Sequence, residues 1–143
     1  MKINVIAIGK LSKEFKVLYE DYKKKAEFYS KINMIELKDA RESNVEVQKK
    51  KETEMIINVV PKGSRIIYCS TTGKQKSSIE FSKMFHEDNI TFVIGGSYGV
   101  DESKFKETIN FSKMTFPHQM FRVMLMEQIF RGLSILNNSK YHK

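Results

Sequence analysis

The stretch ITFVIGGSYG, residues 90–99, has the pattern that decides the fold, because apolar and largely β-branched residues run directly into a glycine-rich turn. β-Branched and aromatic residues favour strands, and closely spaced glycines allow the chain to turn where a strand ends. The same strand-forming character recurs in residues 2–8, 32–37 and 65–69. A brief fifth strand is predicted at residues 109–111. The sequence therefore predicts a sheet of five strands.

Helical segments separate these strands. Residues 13–29 place apolar side chains at steps of three and four, which is one face of a helix. Further helices are predicted at residues 41–60, with an exposed first half and a packed second half, at 77–85, near 103, and from 117 to about 136. Strands alternating with helices predict an α/β domain with a mostly parallel sheet, and we interpret residues 1–143 as a single domain.

Ligands of parallel sheets bind in the crevice at the carboxyl ends of the strands. The loops expected to form such a site are residues 69–74, 95–99 and 111–117. The glycines at 95–99 indicate either a plain turn or the close approach of a ligand to backbone amides. The loop at 111–117 combines hydroxyls with apolar side chains, so it could offer backbone groups to a flat heteroaromatic ring.

The last helix is apolar around nearly its whole circumference, with Arg122, Glu127, Gln128 and Arg131 as the polar exceptions. A helix of this kind is buried on more than one side. Two interpretations are open: the helix lies across one face of the sheet within the core, or part of its surface meets a second subunit.

The composition narrows the class of protein. The chain has 143 residues, 25 basic and 17 acidic side chains, a net charge of +8 and 41% hydrophobic residues, which excludes a disordered chain. The sequence contains no uncharged apolar run of transmembrane length. The single cysteine, Cys69, cannot form an internal disulfide or a cysteine-based metal site, and it favours a cytoplasmic location. Half of the net charge lies in residues 111–143, which favours a polyanionic partner.

Both common nucleotide-binding motifs are missing. Gly73 and Lys74 would end a phosphate loop, but Tyr68 stands where that loop needs a glycine and Gln75 where it needs Ser or Thr. The glycine cluster at residues 95–99 follows the fourth strand, whereas a dinucleotide-binding fingerprint follows the first. These departures argue against an ATPase and against an NAD enzyme.

Three longer runs carry a resemblance to a known family: IGGSYGV at 94–100, FSKMTFPHQMFRVMLMEQIFR at 111–131, and KYHK at 140–143. They resemble the RlmH family of 23S rRNA pseudouridine N3-methyltransferases, within the SPOUT superfamily. The opening KINVIAIGK matches as well, so the resemblance covers essentially the whole chain. It implies a homodimer and an α/β domain with a deep trefoil knot at about residues 90–136, in which residues 111–117 form the knotted loop.

The resemblance also implies a cofactor and a substrate. S-adenosylmethionine is expected among three loops, and no metal is expected. The cofactor-binding candidates are Cys69, Gly95, Gly96, Phe111, Ser112, Lys113, Met114, Thr115 and Phe116. Relatives often have an apolar residue followed by an acid where this chain has Cys69 and Ser70, which leaves the side-chain contribution of the first loop open. The implied substrate is N3 of a pseudouridine in helix 69 of 23S rRNA, in the assembled ribosome.

Four residues are candidates for a direct part in methyl transfer. His142 and Tyr141 end the chain, and His142 is our candidate general base. Arg122 is the candidate for stabilising negative charge on the base that is methylated, the alternative being an ion pair with Glu127 or a second subunit. His118 is a further candidate, the alternative being a hydrogen bond from its ring to the backbone of the knot.

Two other functions stay open at this stage. One is a methyltransferase of the same fold that acts on another RNA, such as tRNA. The other is a non-catalytic ribosome-binding protein, which would have no reason to bind S-adenosylmethionine.

Overall fold

The computed structural model describes residues 1–86 and 89–143. The strands are β1 (Lys2–Ile8), β2 (Lys31–Leu37), β3 (Arg65–Cys69), β4 (Asn89–Ile94) and β5 (Thr108–Ile109). The α-helices are α1 (Lys13–Glu27), α2 (Val45–Val59), α3 (Ser78–Ser82) and α4 (His118–Leu136). Two 3₁₀ turns, Lys83–His86 and Glu102–Lys104, complete the described elements.

The five strands form one sheet in the order β2-β1-β4-β3-β5. Every pairing between neighbouring strands is parallel, which confirms the α/β prediction. Because β4, β3 and β5 are neighbours in the sheet, the loops that follow them leave from adjacent points of its carboxyl edge. The fold thereby brings together three loops that are distant in sequence.

Helices cover both faces of the sheet. Successive side chains of a strand point to opposite faces, and β1 accordingly sends Ile3 and Val5 into one core cluster and Ile6 and Ile8 into another. The first cluster lies under α1, α3 and α4, and the second lies under α2. Helix α4 packs against both α1 and α3, which accounts for apolar residues on more than one of its sides.

The prediction for α2 is wrong in two respects. The helix begins at Val45 and not at residue 41, because the Asn44 side chain caps it by accepting a hydrogen bond from the Val47 amide at 3.1 Å. Its buried residues also form a stripe along the helix instead of a packed second half, since Gln48 and Glu52 are buried and Ile57 is 41% exposed. Hydrogen bonds to these polar side chains make their burial tolerable, which hydrophobic spacing alone does not reveal.

Smaller differences concern the ends of elements. Helix α1 stops at Glu27, and β5 stops at Ile109, after which Asn110 makes only an isolated parallel bridge to Gln75. The predicted helix at 77–85 is a short α-helix that continues as a 3₁₀ turn. The trefoil knot over about residues 90–136 stays a prediction. Among the described residues, no helix is both long and apolar enough to cross a membrane.

Candidate functional site

A cavity of about 480 Å³ opens at the carboxyl edge of the sheet, and we call it the loop cavity. The loops after β3, β4 and β5 supply most of its wall, as predicted for a ligand crevice at the carboxyl ends of parallel strands. The lining residues are Lys49, Tyr68, Cys69, Ser70, Thr71, Ile94, Gly95, Gly96, Ser97, Tyr98, Gly99, Val100, Glu102, Asn110, Phe111, Met114, Thr115, Phe116, His118 and Phe121.

The loop after β3 is held by side-chain hydrogen bonds. Ser70 Oγ donates to Glu102 at 2.8 Å and accepts from the Thr72 amide at 3.0 Å. The side chain of Asn110 donates to the Thr71 carbonyl at 3.2 Å, which ties this loop to the end of β5. Burial raises the pKa of the Cys69 thiol, so this cysteine is protonated and unsuited to act as a nucleophile.

The loop after β4 depends on glycine. Gly99 has φ +76°, a left-handed conformation that side chains disfavour, and its amide donates to the Gly96 carbonyl at 3.0 Å. A Cβ at Gly96 would lie 2.6 Å from Glu52 Oε1. The loop is therefore a tight turn pressed against α2, and its backbone faces the cavity without intervening side chains at Gly95 and Gly96.

The loop after β5 is stabilised by two short-range hydrogen bonds. Asn110 Oδ1 accepts from the Ser112 amide at 3.1 Å, and Ser112 Oγ accepts from the Met114 amide at 3.0 Å. The Phe111 ring packs on Phe121 of α4 with centroids 4.8 Å apart. Met114 is 77% exposed, so an apolar, flexible side chain stands at the mouth of the cavity.

The structure brings together most of the residues that we expected to bind a cofactor. Seven of them line the loop cavity: Cys69, Gly95, Gly96, Phe111, Met114, Thr115 and Phe116. Ser112 and Lys113 lie outside that lining, and Ser112 instead supports the turn. Their roles as cofactor ligands stay predictions.

Sequence reasoning missed several lining residues, among them Tyr68 and Glu102. Burial and the charge of Glu102 raise the pKa of Tyr68 to about 12. Tyr68 is the residue before Cys69 on β3, and strand patterning alone assigns it to the core. Glu102 follows the IGGSYGV run by two residues and belongs to no motif, and the fold brings it into the cavity wall, where it accepts from Ser70.

His118, the first residue of α4, lies in the wall of the loop cavity. Its Nε2 is 2.6 Å from the Gly95 carbonyl oxygen, so this nitrogen donates to the backbone of the β4 loop. Burial lowers the pKa of His118, and the nearby charge of Arg122 acts in the same direction. The geometry is that of the alternative interpretation, in which the imidazole anchors a backbone group, and a role in the chemistry stays a prediction.

Arg122 lies outside the lining of the loop cavity and is fully buried. Its guanidinium donates to the Gly9 carbonyl at 3.1 Å and to Glu36 at 2.5 Å, and it stands over the Tyr19 ring at 5.9 Å. The alternative partner Glu127 pairs with Arg131 instead. Arg122 thus joins α4 to the ends of β1 and β2, and its proposed contact with substrate stays a prediction.

The two terminal candidates are packed against α4 together with two residues of that helix. We call Glu127, Arg131, Tyr141 and His142 the tail cluster. Tyr141 Oη donates to Glu127 at 2.6 Å, Arg131 donates to the same carboxylate at 2.6 Å, and His142 Nδ1 lies 3.1 Å from Arg131. The Arg131 guanidinium also stands 4.7 Å from the centroid of the Tyr141 ring.

The electrostatics of the tail cluster keep Glu127 charged and Tyr141 protonated. Burial raises the pKa of Glu127, but hydrogen bonds from Arg131 and Tyr141 outweigh it and hold that pKa below its usual value. Burial and the bond to Glu127 raise the pKa of Tyr141 to about 12. Sequence reasoning named Arg131 as a polar exception on an apolar helix and Glu127 also as an alternative partner of Arg122. The spacing of four residues between Glu127 and Arg131 was the signal for the ion pair that forms.

The tail cluster and the loop cavity lie on two sides of one loop. Glu127 and Arg131 line a separate groove of about 390 Å³, and Phe111 and Phe116 belong to the walls of both spaces. Among residues 1–86 and 89–143, no group of three or more His, Cys, Asp or Glu side chains is placed to hold a metal ion.

Comparisons with known proteins agree on one family. Residues 1–142 match the family model described as "Predicted SPOUT methyltransferase". A protein of Mycoplasma mobile named "Ribosomal RNA large subunit methyltransferase H" is 56% identical over 143 residues, which cover the whole of both chains. Relatives with the same name are 55% identical in Metamycoplasma arthritidis and 40% identical in Clostridium tetani, again over the whole of both chains.

Proposed function

The chain belongs to the SPOUT methyltransferase family, and from this premise we propose that it transfers the methyl group of S-adenosylmethionine to N3 of a pseudouridine in helix 69 of 23S rRNA. The observation that carries the proposal is the loop cavity, built from three loops at the carboxyl edge of the sheet. The names of the relatives support large-subunit rRNA as the substrate class.

The residues of the loop cavity fit S-adenosylmethionine. The glycine backbone at 95–96 offers amides and carbonyls to an adenine or a ribose, and Phe111, Met114 and Phe121 offer apolar contacts to a flat ring. When bound, this cofactor supplies an electrophilic methyl group on a sulfonium, so the reaction requires no metal. The protein supplies position and charge.

Positioning is the first contribution of the protein. Holding a nucleophile in line with the methyl group removes translational freedom, which is worth about 7–11 kcal/mol. His118 serves this purpose from a distance, because its bond to the Gly95 carbonyl fixes the β4 loop against the start of α4. We therefore assign His118 to positioning.

Deprotonation of the nucleophile is the second contribution. An imide nitrogen reacts well only after it loses its proton, so the site needs a base or a cation that stabilises the developing charge. We propose His142 as the general base and Tyr141 as a contact to the pseudouridine that is methylated. His142 Nδ1 accepts a hydrogen bond from Arg131, so this bond has to open before that nitrogen can take the proton. Arg122 stays our candidate for stabilising the developing charge, and Arg131, which lies 3.1 Å from His142 and pairs with Glu127, is a second candidate for that role.

We further propose that the enzyme works as a homodimer. Helix α4 has partly buried apolar side chains in addition to its core residues, among them Val123 and Phe130. Helix α1, which packs against α4, exposes Val17 and Leu18, and Phe28 directly after it is exposed as well. Exposed apolar side chains of this kind favour contact with a second subunit. Light scattering of the purified protein at micromolar concentration tests this part of the proposal.

The decisive experiment incubates the protein with S-adenosylmethionine carrying a labelled methyl group and with ribosomes from a strain that lacks the modification. Mass mapping of the digested 23S rRNA should place the label on N3 of one helix 69 pseudouridine. Label on tRNA or on another base would overturn the substrate, and a protein that neither binds the cofactor nor transfers label would be a ribosome-binding protein.

One variant and a matched control test His142 as the general base. We expect His142→Ala to lower single-turnover methylation by about 10²–10⁴-fold while cofactor binding is retained. The matched control is His86→Ala, which removes an imidazole at the end of a 3₁₀ turn and outside the lining of the loop cavity. Near-wild-type single turnover by His142→Ala would exclude His142 as the base.

A further inference from the structure

A buried carboxylate stands behind the β4 loop with half of its hydrogen-bonding capacity unused. Glu52 is 0% exposed. Its Oε2 accepts from the Ala40 amide at 2.9 Å and from Gln48 Nε2 at 3.2 Å. Within the described part of the chain, its Oε1 has no hydrogen-bond partner. A buried carboxylate oxygen without a partner is unfavourable, so its presence requires an explanation.

The free oxygen points at the wall of the loop cavity. A Cβ built at Gly96 would lie 2.6 Å from Glu52 Oε1, and Gly96 itself lines the cavity. Only the backbone of a glycine therefore separates this carboxylate from the space where a ligand would lie. Glu52 takes no part in the positioning and base chemistry described above.

No cation of the described residues forms an ion pair with Glu52. Gln48 on the same helix is neutral, and Ile8 is the other side chain at this contact. Across the loop, burial lowers the pKa of His118 and so favours its neutral form, although the charge of Glu52 acts in the opposite direction. The cavity wall itself contains one cation, Lys49, and one further carboxylate, Glu102, and among the described residues Lys49 forms no ion pair with Glu52.

We propose that the Glu52 carboxylate makes the loop cavity select the positively charged methyl donor over its neutral demethylated product. The inference rests on the proposed function, since it concerns the same cofactor. S-adenosylmethionine has a sulfonium where S-adenosylhomocysteine has a neutral thioether, and the rest of the two molecules is shared. A buried charge acts through a medium of low dielectric constant, where its attraction for a cation is only weakly screened. Selection against the product would favour its release after each transfer.

Calorimetric titration of both ligands against three proteins tests this inference. The proteins are the wild type, Glu52→Gln and Glu54→Gln, the last being an exposed position two residues further along α2 with the same loss of charge. We expect the ratio of dissociation constants, product over methyl donor, to fall about tenfold in Glu52→Gln and to stay at the wild-type value in Glu54→Gln. An unchanged ratio in Glu52→Gln, with both ligands bound, overturns the inference and leaves the proposed function intact.

Two further outcomes are decisive. A wild type that binds neither ligand overturns the proposed function, and the inference falls with it. Should Glu52→Gln lose its native circular dichroism, the test uses the wild type with a third ligand, sinefungin. Sinefungin has a protonated amine where S-adenosylmethionine has the sulfonium. The wild type is then expected to bind S-adenosylmethionine and sinefungin more tightly than S-adenosylhomocysteine, and weaker binding of both cations overturns the inference.

Discussion

The buried ion pair between Arg122 and Glu36 leads to a prediction about stability. Its partners are unequally accessible, since the side chain of Arg122 is 0% exposed and that of Glu36 is 39% exposed. Glu36→Ala would leave a guanidinium in the interior with the Gly9 carbonyl and the Tyr19 ring as remaining partners. Arg122→Met would leave a carboxylate that water already reaches. We therefore expect Glu36→Ala to destabilise the protein more than Arg122→Met.

The magnitudes follow from this asymmetry. Removing one partner of a buried pair costs about 3–5 kcal/mol, and partial access of water at Glu36 places Glu36→Ala near about 3 kcal/mol. Arg122→Met forfeits mainly the bond to Gly9, about 1 kcal/mol, because methionine fills much of the same space. With an m-value of about 2 kcal/mol/M, the urea midpoints should fall by about 1.5 M and about 0.5 M.

The assay is urea unfolding followed by circular dichroism, with the protein concentration held constant because the proposed dimer would couple stability to concentration. The double variant completes a thermodynamic cycle and isolates the pairwise term. Equal losses, or a larger loss for Arg122→Met, would refute the argument that the unpaired buried charge determines the cost.

Three further predictions concern other parts of the chain. Burial lowers the pKa of His118 in the folded protein, so the imidazole binds a proton more tightly in the unfolded chain than in the folded one. The stability that the neutral imidazole contributes above about pH 6.5 should therefore be lost as the pH falls below that value. His118→Asn keeps a hydrogen-bond donor for the Gly95 carbonyl but cannot titrate, so its loss of stability at low pH should be smaller. Parallel curves of unfolding free energy against pH for the wild type and His118→Asn would contradict the prediction. A Cβ at Gly132 would lie 2.5 Å from Phe85 Cε2, so Gly132→Ala should lower Tm by about 3 °C in calorimetry despite its better helix propensity, and a raised Tm would contradict the packing. Affinity for ribosomes, measured by filter binding, should fall steeply with salt because the chain has a net charge of +8, and a salt-independent affinity would exclude phosphate contacts as its main source.

The sheet could be predicted closely from the sequence, and β1 and β3 have the bounds that were expected. Each of their apolar runs ends at a residue with a clear preference for a turn or a loop, so local propensity and tertiary structure agree. Strand β5 was harder, because Phe111 is strand-forming by type but packs on Phe121 of α4 and leaves the ladder. Tertiary contact overrode propensity there.

Part of the candidate site could also be predicted from the sequence, and part of it could not. Glycines and the 111–117 loop could be located because backbone freedom is visible in residue type, and the strand-end rule placed them at one edge. Glu52 could not be found, since a buried carboxylate in the middle of a helix has the same local sequence as an exposed one. The partners of Tyr141 and His142 also required the fold, because the chain has to turn back on α4 before they meet.

The strand order has a consequence for how the chain folds. Ile3 of β1 pairs with Ile32 on one side and with Ile90 on the other, so one edge of β1 closes early and the second only after most of the chain has been made. Contacts of such long sequence separation slow folding, and an open edge of apolar strand invites pairing with other chains. Nascent chains that end before β4 should therefore be prone to aggregate, and arrival of residues 89–94 is the event that closes the centre of the sheet and ends this hazard.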